Sequence, residues 1–497
     1  MAASQAPISQ GLSADDATMI AVPAKKTKKK KVPVDAAERT DVVNPEDVIA
    51  DSAPAAESPQ EEAPAEPETP TLDPVIFRAY DIRGVVGESL TEKSVYEIAR
   101  AIGTKAQQLG QQGIVVGRDG RNSGPDLSEA LIKGLRSTGR DVIDVGMVPT
   151  PVLYFATYQL ETGSGVMLTG SHNAPEYNGL KIMLGGNTLS GDDIQELKSL
   201  AESGELATGQ GDLRHVDITA DYVRRISEDI PVALGNSLKV VVDCGNGVAG
   251  AVAPQLLNAI GHDVVEMYCD IDGNFPNHHP DPSQPDNLQD LINKVKAENA
   301  DIGFAFDGDG DRLGVVDAEG NIIWPDRQMM LLAKDVLSRN AGANIIFDVK
   351  CSRYLKSIIE SNGGKPMMWK TGHSFIKNKM KEVEAPLAGE MSGHIFFKER
   401  WYGFDDALYT AARFIEDQHV GFMEELKESL ASAGNAKVID IDGLRLEYSD
   451  GWGLARPSNT SPYIILRFEG ENEAALERIK SEFRTAIQSI IPVDLPF

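Results

Sequence analysis

Asp307-Gly308-Asp309-Gly310-Asp311-Arg312 places three carboxylates at alternate positions, separated by glycines and closed by an arginine. Three such groups brought together repel one another unless a cation lies among them. Hard oxygen donors of this kind suit Mg²⁺ or Mn²⁺. The glycines let the backbone turn tightly enough for the side chains to converge. An EF-hand fails on spacing, because Arg312 and Ala318 stand where its glycine and final glutamate would be. A second segment, Thr169-Gly170-Ser171-His172-Asn173, is followed by Tyr177-Asn178-Gly179-Leu180-Lys181. A serine on a tight turn, beside a histidine and ahead of a lysine, suits a nucleophile. Asn173 rules out the glycine-flanked elbow of α/β hydrolases, and read alone the Ser-His pair is equally turn chemistry.

Two further segments carry groups for sugars and phosphates. In Gly389-Glu390-Met391-Ser392-Gly393-His394, Glu390 and Ser392 would face the same way in an extended chain, offering an acceptor and a donor-acceptor to sugar hydroxyls. Arg456-Pro457-Ser458-Asn459-Thr460-Ser461 joins one guanidinium to short polar side chains and turn amides, a cradle for an anion or simply a polar turn.

The elements that must position these loops are short apolar runs alternating with amphipathic stretches. Ile114–Gly117, Asp141–Val145 and Gly165–Leu168 form one set, with a helical pattern opening near Gly124-Pro125. Leu238–Asp243, His262–Val265 and Ile302–Phe306 form a second, and Asn344–Val349 with Pro366–Trp369 belongs to a third. Strands separated by helices of this length imply βαβ units and mostly parallel sheets. The C-terminus differs: Asp440–Leu446 and Tyr463–Arg467 alternate, and an amphipathic helix starts near Glu473. The reading is α/β, with three similar mixed or parallel-sheet α/β domains and a smaller C-terminal α+β domain. Their spans are 73–222, 223–323, 324–436 and 437–497. Ligands bind at the carboxyl ends of parallel strands, which is where the chemical segments fall, so the active-site cleft should lie at the junction of the domains. The fourth domain, carrying the anion cradle, could then hinge open.

Composition limits the partners. The chain has 497 residues, 41% hydrophobic and 25% charged, with a formal net charge of −27. Such an acidic balance argues against a nucleic-acid binder, but not against an anionic substrate in a locally basic pocket. No apolar run approaches the ~20 residues that span a bilayer, so no membrane insertion is expected. Cys244, Cys269 and Cys351 are too few and scattered for a disulfide framework or a zinc cage, which fits the cytoplasm. Residues 1–72 read as a disordered low-complexity tail, since Asp51 to Thr71 is almost entirely Ala, Pro, Glu and Ser. The lysine cluster Lys25 to Lys31 within it reads as a solvated charge block, with an interaction tail as the alternative.

Taken together, the motifs resemble those of the α-D-phosphohexomutase superfamily, most closely its bacterial phosphomannomutase/phosphoglucomutase branch. The resemblance runs from about Ile76 to the C-terminus. It adds Phe77-Arg78-Ala79-Tyr80-Asp81-Ile82-Arg83-Gly84 to the four segments above, all in the family's order. It implies that Ser171 carries a phosphoryl group, and that Asp307, Asp309 and Asp311 bind one Mg²⁺ per chain together with phosphorylated Ser171. It further implies that Glu390 and Ser392 grip sugar hydroxyls, and that Arg456, Ser458, Asn459 and Thr460 hold the distal phosphate. Arg83, His172 and Lys181 become candidates for proton handling or transition-state contacts, with the general base unassigned. Tyr80, Arg312, Lys350, His373 and His394 become substrate contacts. The implied reaction interconverts hexose 1- and 6-phosphates of mannose and glucose, with glucose 1,6-bisphosphate as intermediate and activator, in a cytoplasmic monomer. Met391 favours this branch over the amino-sugar mutases. Ala174, where the family usually has proline, and Leu180, where phenylalanine is common, are small departures beside the serine loop.

Overall fold

The computed structural model describes residues 16–21, 72–230, 237–431, 436–439, 443–457 and 463–490. Ser458, Asn459 and Thr460, and almost all of the segment read as a tail, lie outside them. Within that segment Asp16–Ala21 forms a strand, which stands at one edge of the C-terminal sheet.

One strand plan occurs three times. In the first unit Gly113–Arg118 pairs in parallel with Asp141–Met147 on one side and Gly165–Leu168 on the other. Gly165–Leu168 then turns back antiparallel into Tyr177–Leu184. The second unit repeats this with Lys239–Asp243 between Asp263–Met267 and Ile302–Phe306, the latter returning as Leu313–Asp317. The third does so with Asn344–Asp348 between Lys365–Trp369 and Leu387–Gly389, which returns as Ile395–Phe397. Each sheet is therefore mixed, built on three parallel strands and an antiparallel return; the first sheet adds Leu213–His215 in parallel at one edge and Ile82–Val85 antiparallel beyond the return, and the second adds Ile322–Ile323. Strands buried on both faces need no polar alternation, and Gly165–Leu168 and Ile302–Phe306 are buried throughout.

Helices start where short side chains satisfy free backbone donors. Thr91 and Ser94 form a reciprocal capping box at the head of Glu92–Gln108, and Pro125 occupies the first turn of Gly124–Arg136. One hydrophobic cluster runs continuously through the first three units, from Tyr154 and Phe155 through Phe304 to Trp401 and Tyr409. The C-terminal unit has a core of its own, built on Leu444, Phe468 and Phe483. Its antiparallel strands Leu444–Tyr448, Gly451–Pro457 and Tyr463–Gly470 pack beside Glu473–Ile490. A single helix, Ala407–Ala431, carries the chain from the third unit to the fourth. The first three units thus share one apolar body, and the fourth is joined to it through this helix.

The pair Glu92–Gln108 and Gly124–Arg136 crosses with almost no room at Gly134. A Cβ there would lie 2.5 Å from the Tyr96 carbonyl oxygen and 2.6 Å from the Ala99 Cβ. Helix propensity alone would favour alanine by up to about 1 kcal/mol, whereas overpacking costs about 1–3 kcal/mol. Because the obstacle is backbone, the second effect wins. Gly134→Ala should lower Tm in a thermal melt; an unchanged or raised Tm would show that the helices simply move apart.

Candidate active site

Each antiparallel return carries one of the chemical segments: 169–176 in the first unit, 307–312 in the second and 390–394 in the third. The repeat thus turns three loops of different chemistry towards one place. They line a cavity of about 490 Å³ together with Tyr80, Arg83, Lys350 and His373. That volume suits a small polar ligand.

Ser171 sits at φ 49°, in the left-handed region, and is almost fully buried. Its conformation is held from beneath by Arg121, whose guanidinium donates to the carbonyl oxygens of Ser171 (2.8 Å), Asn173 (2.6 Å), Ala174 (2.6 Å) and Tyr177 (2.9 Å). Asp119 pairs with Arg121 at 3.1 Å and accepts from the Thr169 hydroxyl and the Gly170 N–H. Gly170 is required here, since a Cβ would strike the Arg121 guanidinium at 2.3 Å. Neither Arg121 nor Asp119 stood out in the sequence, although Arg118-Asp119-Gly120-Arg121 follows a strand as the other chemical segments do.

The serine loop meets the acidic loop across the first two units. The Ser171 Oγ lies 3.1 Å from Asp307 Oδ2 and 3.1 Å from His172 Nδ1. Gly308 permits this approach, because a Cβ there would sit 2.4 Å from the Ser171 carbonyl oxygen. Asp307, Asp309 and Asp311 are wholly buried, with a carboxylate oxygen from each lying within 4.8 Å of the others. Burial, then repulsion from Asp311 and Asp309, pushes the Asp307 carboxyl well above the usual carboxylate range. Lys181 answers part of this charge, with Nζ 2.7 Å from Asp309 and also bonded to Asp311. Burial opposes its charge, but the two carboxylates outweigh it and hold the ammonium well above the usual lysine range. Asp309 Oδ1 remains buried without a hydrogen bond, and Asp311 Oδ1 has only the His394 ring at 3.3 Å. Three buried carboxylates, one lysine and an orphaned oxygen fit a divalent cation.

Glu390 and Ser392 converge on His394, at 3.2 Å and 2.9 Å from its Nδ1. They do so through a turn, closed by the Gly393 N–H donating to the Glu390 carbonyl oxygen, rather than through the extended segment expected from the sequence. Glu390 Oε1 also accepts from the Gly372 N–H at 2.6 Å. His394 is fully enclosed; burial opposes its charge, but Asp311 and Glu390 raise it to about 9. The reverse holds at His172, where burial and then the Arg312 guanidinium push the imidazole down to about 3. Arg83 is fixed by Asp81 (2.6 Å) and the Asn173 side chain (2.5 Å), and the Arg312 Nε lies 3.3 Å from His394 Nε2. Lys350 is half exposed, with Nζ 3.3 Å from Asp348. Tyr80 stands edge-on to His373 at 5.5 Å. Arg456, on the strand Gly451–Pro457, is not among the residues lining this cavity.

The second unit adds a loop that sequence reading passed over. Asp281, Ser283 and Gln284 line the cavity, and Asp281 faces the Arg312 guanidinium at 3.9 Å. The loop is anchored by His278, whose Nε2 lies 2.9 and 3.1 Å from the two oxygens of fully buried Asp243. His278-His279-Pro280-Asp281 was the available signal, but nothing local says that it reaches the metal loop.

Three copies of one α/β unit that turn their return loops into a shared polar cavity, followed by an α+β unit, define the α-D-phosphohexomutase fold. The four domain models of phosphoglucomutase/phosphomannomutase match in order: the α/β/α domains I, II and III over residues 74–208, 220–320 and 324–432, and the C-terminal domain over 420–486. The chain belongs to the phosphoglucomutase/phosphomannomutase family. It is 54% identical over 457 residues to a phosphomannomutase/phosphoglucomutase of Pseudomonas aeruginosa, covering 85% of this chain and 98% of the relative. It is 50% identical over 447 residues to a phosphoglucomutase of Neisseria meningitidis, covering 83% and 97%. A crystal structure of a phosphoglucomutase/phosphomannomutase family protein from Burkholderia thailandensis superposes with a TM-score of 0.68 at 50% identity, covering 86% of this chain and all of that one. The third and fourth domain matches overlap over 420–432, of which 420–431 belongs to the helix Ala407–Ala431, so one helix serves both units.

The His278–Asp243 pair makes loop anchoring depend on pH. Burial disfavours the imidazolium, but hydrogen bonding to Asp243 and its charge prevail and raise His278 above the ordinary histidine value. Its contribution to stability is therefore complete below the unfolded value of about 6.5 and is lost as pH rises through the folded one. His278→Gln should lower Tm more at pH 6 than at pH 9. A gap that widens with pH would reverse the assignment.

Proposed function

We propose that the protein interconverts the 1- and 6-phosphates of mannose and glucose, with Ser171 carrying the transferred phosphoryl group and a hexose 1,6-bisphosphate as intermediate. The observation that carries this reading is the Ser171 Oγ set 3.1 Å from a buried carboxylate of the acidic loop, across the junction of two units. Its near relatives bear the names of these two activities. Phosphoryl transfer asks the protein for positioning and charge neutralisation more than for covalent chemistry. Arg121 sets the serine turn, Gly308 lets the two loops touch, and Lys181, Arg83 and Arg312 supply positive charge around them. Mg²⁺, held by Asp307, Asp309, Asp311 and phosphorylated Ser171, would neutralise charge on the phosphoryl oxygens.

Arg83 presents a guanidinium that donates hydrogen bonds and has no acceptor, so its role is electrostatic. His172, pushed down to about 3, is neutral at physiological pH and can accept a proton or a hydrogen bond but does not carry a standing charge. Glu390 and Ser392 address the sugar hydroxyls. Arg456 with Ser458, Asn459 and Thr460 holds the far phosphate when the fourth unit closes on the cavity. A monomer is part of the same reading. No helix among the described residues is long and apolar enough to cross a membrane.

Two outcomes test the reading. Ser171→Ala should abolish turnover of glucose 1-phosphate while leaving the protein folded, with stability lowered only by the lost hydroxyl hydrogen bond to Asp307, about 0.5–1.5 kcal/mol; retention of more than a trace of turnover would move the acceptor elsewhere. Glucose and mannose differ only at C2, and the proposed contacts fall on the shared hydroxyls and the phosphate. The bisphosphate must also bind in two flipped orientations, which disfavours any contact tailored to one face. The two 1-phosphates should therefore turn over with kcat/KM values within roughly tenfold, about 1.4 kcal/mol. A preference of several hundredfold would reveal a residue that reads C2.

A further inference from the structure

Behind the sugar side of the cavity lies a buried group that none of the chemical segments includes. Asp405 is wholly inaccessible and bridges to Phe396, on the strand that follows the Glu390 turn. Its Oδ1 accepts from Lys377 Nζ at 2.7 Å, and its Oδ2 lies 3.4 Å from His373 Nδ1. His373 opens the helix His373–Val383 and Lys377 stands one turn on, so both address the same carboxylate from one helix face. Lys377 also donates to the Tyr154 hydroxyl at 3.1 Å, a bond from the third unit to the first. His373 Nδ1 and Asp405 Oδ2 are both buried and neither makes a hydrogen bond to any further group, so the 3.4 Å approach leaves each as the other's nearest polar partner.

This geometry fixes where the protons sit. Burial opposes ionisation of Asp405, but the Lys377 ammonium and then His373 hold it well below the usual carboxylate range. An ionised carboxylate accepts only, so the ring nitrogen facing it must carry the hydrogen. The imidazole itself is kept neutral, first by burial and then by the charge of Lys377. A neutral ring with its proton on Nδ1 has a bare lone pair on Nε2. Nε2 is then the nitrogen left for the cavity that the ring lines.

We propose that Asp405 is a positioning residue that locks His373 in the Nδ1–H tautomer, so that Nε2 accepts a hydrogen bond from a hydroxyl of the bound hexose phosphate. The inference rests on the hexose phosphate reading above. It assigns His373 to a hydroxyl rather than to a phosphate, because an acceptor repels phosphate oxygen and selects O–H. Lys377 keeps the lock charged, and Tyr154 ties it to the unit that carries Ser171.

Two measurements test it, one of them without turnover. In the full-length wild-type protein labelled with ¹⁵N-histidine, long-range ¹H–¹⁵N correlations at pH 7.5, assigned by comparison with His373→Gln, should show His373 protonated at Nδ1 alone. A ring protonated at Nε2, or at both nitrogens, overturns the proposal. This result is independent of whether the protein is a mutase. The second compares wild type, Asp405→Glu and Asp405→Asn on glucose 1-phosphate and on its 2-, 3- and 4-deoxy analogues. Asp405→Asn offers Nδ1 an amide donor and should reverse the tautomer, lowering kcat/KM on glucose 1-phosphate about 10- to 100-fold. Asp405→Glu, which retains a carboxylate, should recover part of that loss. On the one analogue that lacks the hydroxyl read by Nε2, the penalty of Asp405→Asn should shrink to less than threefold. A penalty equal on all four sugars would mark Asp405 as merely structural and overturn the proposal. Should Asp405→Asn fail to fold, the analogue series on His373→Gln against wild type gives the same comparison. No turnover of any hexose phosphate by the wild type would instead defeat the mutase reading and leave the tautomer result standing on its own.

Discussion

Three carboxylates cannot be buried within 4.8 Å of one another without compensation, and much of the site follows from that constraint. Lys181 reaches in from the neighbouring unit to meet two of them, Thr150 donates to Asp309, and His394 comes from the third unit to meet Asp311. The acidic loop thereby draws partners from the units on both sides of it. Asp309 Oδ1 still has no donor. A cation at this place completes an arrangement whose protein groups already point to it.

The architecture solves the positioning problem by repetition. In every unit the chemical segment is the return from the third strand of the plan to the fourth, antiparallel one. In every unit, too, an aspartate stands at or just beyond the end of the first strand: Asp119, Asp243 and Asp348. Asp119 ties down the serine loop through Thr169 and Gly170, and Asp348 accepts from the Met391 N–H of the sugar loop. Asp243 instead anchors His278 and with it the loop of Asp281. One backbone plan, stiffened at the same point, carries the serine turn, the acidic loop and the Glu390 turn. The shared apolar core holds these three in fixed relation, while the strand that carries Arg456 belongs to a unit with its own core.

The sequence was most legible where chemistry is local. The acidic loop and the serine turn are contiguous, and the strands before them, Ile302–Phe306 and Gly165–Leu168, are unbroken apolar runs, so both lie where hydrophobic patterning places them. The positioning groups were hidden because their partners are distant along the chain. Arg121 serves carbonyls 50 to 56 residues away, and Asp405 meets His373 across two strands and a turn. A guanidinium bound to backbone carbonyls leaves no signature in its partners' side chains. The turn at Glu390 misled for a related reason. Alternation of Glu390 and Ser392 suggested an extended segment, but their convergence comes from the positive φ of Gly393 and from His394 beneath them. Leu213–His215 pairs at a sheet edge with none of its residues buried, so no hydrophobic pattern announced it.

The central claim is that Ser171 carries the phosphoryl group. The most direct measurement is intact-mass analysis of the purified protein after exposure to glucose 1,6-bisphosphate, followed by peptide mapping of the modified species. One phosphoryl group per chain is expected, located on Ser171 and retained through turnover of glucose 1-phosphate, because each bisphosphate intermediate returns a phosphoryl group to the serine. A stable phosphate on His172 or any other residue, or a chain that turns over substrate without ever being phosphorylated, would contradict it.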